Sequence, residues 1–140
     1  MIDNSIKAIA FGSNFGFNVH YNCLKKFFKF EEIAICSPNI LKKKINASKK
    51  FEKFNFALKN NFDFISISTP PSIQKKICTK ILKKSKKPRF LFLEKPIAEN
   101  FNLIKKIIQK LKKKKIKYLV NFIFTNIKEF QAFKKLIIKN

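Results

Sequence analysis

Acidic residues are scarce in this sequence, with eight Asp and Glu against 32 Lys and Arg in 140 residues. There is one histidine, and the three cysteines, Cys23, Cys36 and Cys78, form no C-x-x-C pair. No ligand set for a metal centre is therefore visible. Each cysteine lies in an apolar stretch, which reads as a reduced core thiol in a cytoplasmic protein and not as part of a disulfide framework. No run of 18 apolar residues occurs, and no basic segment followed by an apolar run stands at the start. Neither membrane spanning nor secretion is expected. Glycine occurs twice and proline five times, and no low-complexity linker divides the chain. A single domain is expected.

Lysine is what the sequence has in excess. There are 31 Lys, 21 Ile, 18 Phe and 14 Asn, together 84 of 140 positions, and all four have codons rich in A and T. A biased genome yields this drift without any selected partner. The formal charge of +24 includes only one arginine, Arg89, whereas bidentate readout of phosphate or guanine favours Arg over Lys. No specific nucleic-acid partner is expected, and the charge reads as solubility through self-repulsion. Lysine runs at 42–44, 83–87 and 112–115 fall near expected helix ends, where cations suit the dipole and their stems cover apolar surface.

Apolar periodicity lays out an alternating pattern. Residues 6–11 (IKAIAF) read as a buried strand entering a tight turn at Gly12. Val19, Cys23 and Phe27, with Leu24 and Phe28 beside them, predict an amphipathic helix. A strand at 32–36, a Lys-rich helix at 41–51, a short strand at 54–56 and a stronger one at 64–68 (FISIS) follow. Next come a helix on Ile73, Ile77, Cys78, Ile81 and Leu82, a strand at 90–93, and a helix on Leu103, Ile104, Ile107, Ile108 and Leu111. A strand at 118–124 and a helical segment at 130–138 complete the pattern. Such alternation predicts an α/β fold, doubly wound, with a mainly parallel sheet of five or six strands and FISIS adjacent to 90–93.

Three turns at strand ends carry the candidate chemistry. The first is Gly12-Ser13-Asn14-Phe15-Gly16, running on to His20. Against the G-x-G-x-x-G spacing of dinucleotide turns, Gly12 fits, while Asn14 and Phe17 replace the second and third glycines. Asn tolerates left-handed backbone angles, so the turn is expected to survive, with a side chain near the phosphates. The second turn is Ser68-Thr69-Pro70-Pro71-Ser72, in which Ser72 reads as a helix N-cap. The third is Glu94-Lys95-Pro96-Ile97-Ala98. In an open parallel sheet all three face the edge where ligands bind. His20 reads as a packed or capping side chain and not as a catalyst.

A G-x-x-F-G-x-x-x-H turn, a T-P-P turn and E-K-P-I-A about 25 residues later together resemble the glucose-fructose oxidoreductase/inositol dehydrogenase (Gfo/Idh/MocA) family, along essentially the whole chain. The resemblance implies a Rossmann-like NAD(P)-binding domain over residues 1–120 and a crossover segment over 121–140 toward a substrate domain that is not in the sequence. It implies that Gly12, Ser13, Asn14, Phe15 and Gly16 line the pyrophosphate, and that Thr69 and Pro70 border the nicotinamide. Glu94 and Lys95 stand at the reacting end, with Lys95 as the catalytic cation. Gln74 stands where the family often has histidine. Ser37 occupies the place of the acidic residue that binds the ribose hydroxyls, and Lys42, Lys43 and Lys44 follow it, so NADP is preferred to NAD.

Catalysis by this chain alone is not expected, because the family's acid/base aspartate and histidine belong to the substrate domain. The chain reads as a fragment, a truncated product, or a half completed by a partner chain or in a homo-oligomer. Three readings stay open: an oxidoreductase domain acting on a sugar, polyol or nucleotide sugar; a dinucleotide-binding module without chemistry; and a basic nucleic-acid-binding protein.

Overall fold

The structure, a computed structural model, describes residues 6–122 and 127–128. Strand β1 (Lys7–Phe11) is buried from Ala8 onward, as a strand covered on both faces must be. A π-helical turn, Gly16–Tyr21, runs into α1 (Asn22–Phe27). Strand β2 (Glu32–Cys36), a single 3₁₀ turn at Ile40–Lys42, β3 (Lys49–Phe51) and α2 (Phe54–Ala57) follow. The second half holds β4 (Phe64–Ile67), α3 (Pro71–Lys83), β5 (Phe90–Glu94), α4 (Phe101–Lys113) and β6 (Lys117–Asn121).

All six strands pair in parallel in the order β3-β2-β1-β4-β5-β6. The chain winds outward from β1 to β3, returns past β1, and winds outward again. That reversal defines a doubly wound sheet, with its switch point between β1 and β4. FISIS and residues 90–93 are adjacent parallel strands, with Phe64 opposite Phe90 and Ile67 opposite Leu93, as the sequence predicts.

Strand alternation divides the core into two faces. Ile9, Phe11, Ile65, Ile67, Leu91 and Leu93 pack under α2, α3 and α4 with Ile77, Ile81, Ile107 and Leu111. Ala8, Ala10 and Ile35 point the other way, onto Tyr21 and Leu24. Each fully buried Ile or Leu side chain contributes roughly 1.5 to 3 kcal/mol by leaving water, so the larger face holds most of the stability. Helix α3 starts on Pro71, whose fixed φ suits a first helical position. Helix α4 starts where the Asn100 side chain accepts from the Leu103 amide at 3.0 Å.

Several expectations are corrected. Residues 41–51 form no helix, because the lysines at 42–44 leave no apolar stripe; the chain makes one 3₁₀ turn over Ile40 and enters β3 at Lys49. Residues 54–56 are helical and not a strand, since a helix is what puts Ala57 and Leu58 into the core. Ser72 does not cap α3; the cap position is Pro70, with no side-chain bond. On the first helix the buried residues are His20, Tyr21 and Leu24, while Val19, Phe27 and Phe28 are exposed. The π-helical turn has a longer repeat than an α-helix and shifts the inward face off the predicted stripe. The helical segment at 130–138 lies outside the described residues, as do residues 123–124 of the last predicted strand.

Burial pushes the thiols of Cys36 and Cys78 up to about 12, whereas Cys23 is only half-buried. Among the described residues no helix is long and apolar enough to cross a membrane, and no cluster of three His, Cys, Asp or Glu is placed to hold a metal ion.

Candidate functional site

The switch point gathers the three turns. Gly12 has φ +133°, a conformation that side-chain-bearing residues rarely adopt. A Cβ on it would lie 2.2 Å from the Ser68 carbonyl oxygen, and one on Gly16 would lie 2.6 Å from that of Phe11. The only two glycines therefore stand where the turn after β1 is pressed against the turn after β4. The Gly12 amide donates to the Cys36 carbonyl at 3.0 Å, tying the same turn to the end of β2. Asn14 has an ordinary negative φ, so the left-handed tolerance invoked for it is not used. Its carbonyl accepts from the amides of Phe17 and Asn18 at 3.1 and 2.7 Å and starts the helix. Ser13, Asn14 and Phe15 are exposed. Their amides have no acceptor among the described residues, the arrangement that suits an anion at a helix N-terminus.

On the β4 side, Thr69 follows the strand with its hydroxyl buried and without a hydrogen-bond partner among the described residues. A buried hydroxyl without a partner costs roughly 1 to 3 kcal/mol, and a ligand amide or hydroxyl at this edge would satisfy it. Pro70 is exposed beside it. Ser37, at the end of β2, is 1% exposed. Its hydroxyl donates to the Pro38 carbonyl at 3.3 Å, and Lys42, Lys43 and Lys44 are exposed nearby in sequence. An unpaired buried hydroxyl, a glycine cradle and free amides on one edge all fit a dinucleotide.

Two straps hold the E-K-P turn. Gln74, fully buried on α3, donates from Nε2 to the carbonyls of Glu94 at 2.7 Å and Pro96 at 3.1 Å. It grips the backbone on both sides of Lys95, across a Lys95–Pro96 peptide that is cis. Lys95 is exposed, and its ammonium has no partner among the described residues. The second strap runs from the other face of the sheet. Glu94 Oε1 accepts from Asn121 Nδ2 at 2.6 Å and lies 3.0 Å from His20 Nε2. The His20 Nδ1 lies 2.5 Å from Ser66 Oγ. A carboxylate only accepts, so in the neutral ring Nε2 carries the proton and Nδ1 accepts from the Ser66 hydroxyl. Burial lowers the His20 pKa despite the hydrogen bond and charge of Glu94, which act to raise it.

His20 thus behaves as the packed residue expected, between the rings of Phe15 and Phe92 at 5.1 and 5.2 Å. Sequence reading missed that it links four elements; it singled out Gln74 only for standing in place of a histidine, not for gripping the turn, and gave Ser66 and Asn121 no role. No spacing signal connects residues 20 to 74 positions apart. The register pairing Glu94 with Asn121 is visible only once the sheet is built.

A testable consequence concerns pH. A histidine whose pKa lies lower in the folded state than its unfolded value of 6.5 binds protons better when unfolded. Its contribution is complete above pH 6.5 and is lost as pH falls toward the lowered value. The urea midpoint should drop as pH falls below 6.5, and His20→Gln should flatten that drop. Equal pH dependence in both proteins would show that His20 is not held neutral.

Fold and edge together define a dinucleotide-fold protein of the doubly wound α/β class. The model of an oxidoreductase family with an NAD-binding Rossmann fold (Gfo/Idh/MocA) matches residues 6–122, and the chain belongs to that family. Among solved structures it is similar to apo scyllo-inositol dehydrogenase from Lactobacillus casei, at 20% identity and TM-score 0.76, over 99% of this chain and 43% of that one. The same enzyme with bound NAD(H) and scyllo-inositol gives 21% identity and TM-score 0.75, over 96% and 41%. For myo-inositol 2-dehydrogenase from Lactobacillus plantarum the values are 14% and 0.75, over 96% and 41%. At these identities the likeness shows the fold alone. The chain spans about two fifths of the length of these relatives. No curated protein matches it.

Proposed function

We propose that this chain is the dinucleotide-binding part of an NAD(P)-dependent oxidoreductase that moves a hydride between the cofactor and a hydroxyl or carbonyl carbon of a sugar, polyol or nucleotide sugar. The observation that carries this reading is the gathering of the Gly12–Gly16 turn, the Thr69 turn and a doubly strapped Lys95 on one sheet edge. The amides of Ser13, Asn14 and Phe15, in a turn that Gly12 and Gly16 make possible, receive the pyrophosphate. Thr69 and Pro70 border the nicotinamide, with the Thr69 hydroxyl taking the bond it lacks among the described residues. When bound, the nicotinamide supplies or takes up the hydride. Lys95 holds positive charge beside the substrate oxygen, where negative charge grows as the hydroxyl proton leaves. Glu94, with one carboxylate oxygen engaged by His20 and Asn121, serves this end by fixing the backbone from which Lys95 projects. The residue that accepts the proton belongs to a substrate domain, reached through residues 121–140 or supplied by a partner chain.

Ser37 presents no carboxylate to repel a 2'-phosphate, and the exposed lysines 42–44 are close in sequence to pair with one. NADP(H) is therefore expected to bind at least as tightly as NAD(H) in calorimetry. NAD(H) binding more than about tenfold tighter would reject the NADP preference. Failure of both to bind at millimolar concentration would reject the functional reading.

A further inference from the structure

Helices α3 and α4 lie side by side on the sheet face opposite α1, with their C-terminal ends at the edge remote from the three turns. Between them runs a groove of about 890 Å³. Eight of its twelve lining residues are lysines, no carboxylate lines it, and its floor is apolar, made of Leu82, Leu103 and Ile107. Two of the lysines are engaged. Lys75 pairs with Glu99 at 2.7 Å, and the Lys84 ammonium donates to the carbonyls of Leu58 and Asn60 at 2.5 and 3.0 Å. The other six, Lys83, Lys87, Lys106, Lys110, Lys113 and Lys114, have no acidic partner among the described residues.

Codon drift accounts for the number of lysines but not for this placement. One or two cations satisfy a helix C-terminus, each worth roughly 0.3 to 1 kcal/mol. Six unpaired ammonium groups around one apolar trough exceed that need and repel one another. Burial and the neighbouring charge of Lys87 both lower the proton affinity of Lys84, as such a field requires. Anionic charge on a partner relieves the repulsion, and an apolar stripe on the same partner covers the floor.

The lining distinguishes between polyanions. No aromatic ring and no arginine lines the groove, so it lacks both the stacking platforms of single-strand binders and the forked donors that grip phosphate. A concave trough also cannot insert into a bilayer, which takes a protruding apolar face. An apolar floor between cationic rims fits an amphipathic helix with acidic flanks. We propose that the groove between α3 and α4 is a docking surface for an acidic amphipathic helix of a partner protein. This proposal is independent of the dinucleotide reading.

The test uses the intact chain and a fluorescent peptide of about 18 residues of Glu, Leu and Ala, with leucines repeating at helical spacing. The peptide should bind in an anisotropy titration, and changing Lys106, Lys110 and Lys113 together to Gln should weaken it at least about tenfold. Should that triple variant fail to fold, Lys83→Gln at the end of α3 combined with Lys114→Gln at the end of α4 should show at least about a threefold loss. Changing Lys25 and Lys26 on α1 and Lys29 just after it to Gln should leave affinity within about twofold, and a scrambled peptide of the same charge should bind at least about tenfold more weakly. Equal losses from the α4 triple and from the Lys25, Lys26 and Lys29 triple, equal binding of the scrambled peptide, or tighter binding of polyuridylate or of phosphatidylserine vesicles would each overturn the proposal.

Discussion

Gly12→Ala is expected to destabilise the protein by about 2 to 5 kcal/mol, combining backbone strain at positive φ with overpacking. The added carbon would meet the Ser68 carbonyl oxygen at 2.2 Å, and that partner is backbone, unable to swing aside. Relief requires the turn after β1 to separate from the turn after β4. The variant should therefore show a lower urea midpoint with an unchanged slope, together with loss of dinucleotide binding under conditions where it remains folded. Ser13→Ala, one residue on and exposed, should change stability by less than about 0.5 kcal/mol. A Gly12→Ala protein as stable as its parent would mean that the two turns are not in contact, and the geometry of the site would be wrong.

Lys95→Met is expected to lower turnover at least about a hundredfold while leaving the dinucleotide dissociation constant within severalfold, in a protein that carries this chain together with a substrate domain. A preorganised charge that acts only as the substrate oxygen becomes negative is worth about 2.7 to 4 kcal/mol, or roughly a hundred- to thousandfold in rate. The ground state gains little from it, so binding is spared. Hydrogen bonds on two sides hold the turn that carries Lys95. Gln74 fixes the carbonyls before and after it, and Glu94 next to it is fastened to His20 and Asn121. Gln74→Leu should then move turnover in the same direction by loosening the turn, and Gln74→His should recover part of it. Unchanged turnover in Lys95→Met would show that its place in the E-K-P turn had been misread.

The outline of the fold was legible because β1, β4 and β5 are short apolar runs ended by turn residues, and because α3 and α4 carry clean apolar stripes. What failed did so for identifiable reasons. Residues 41–51 are rich in a good helix former, but lysine propensity without a buried face does not outweigh tertiary packing. Phenylalanines 54 and 56 favour strands in isolation, yet Ala57 and Leu58 reach the core only if the segment turns helical. The first helix lies where the spacing predicts it but turns a different face inward, since a π-helical turn leaves no mark in a four-residue spacing. At the site, the three turns could be read because each is local. The bonds that join them could not, because His20, Ser66, Gln74, Glu94 and Asn121 meet only through the strand order.

The most direct test of the central claim is a titration of the isotope-labelled chain with NADH and NADPH, followed by amide chemical shifts. The predicted result is a set of saturable shifts at residues 12–16, Ser37, Thr69, Glu94 and Lys95, with the lysine groove at residues 106–114 unmoved. Shifts confined to that groove would mean that the dinucleotide is held merely as an anion by unpaired lysines, and would contradict the assignment of the sheet edge as the binding site.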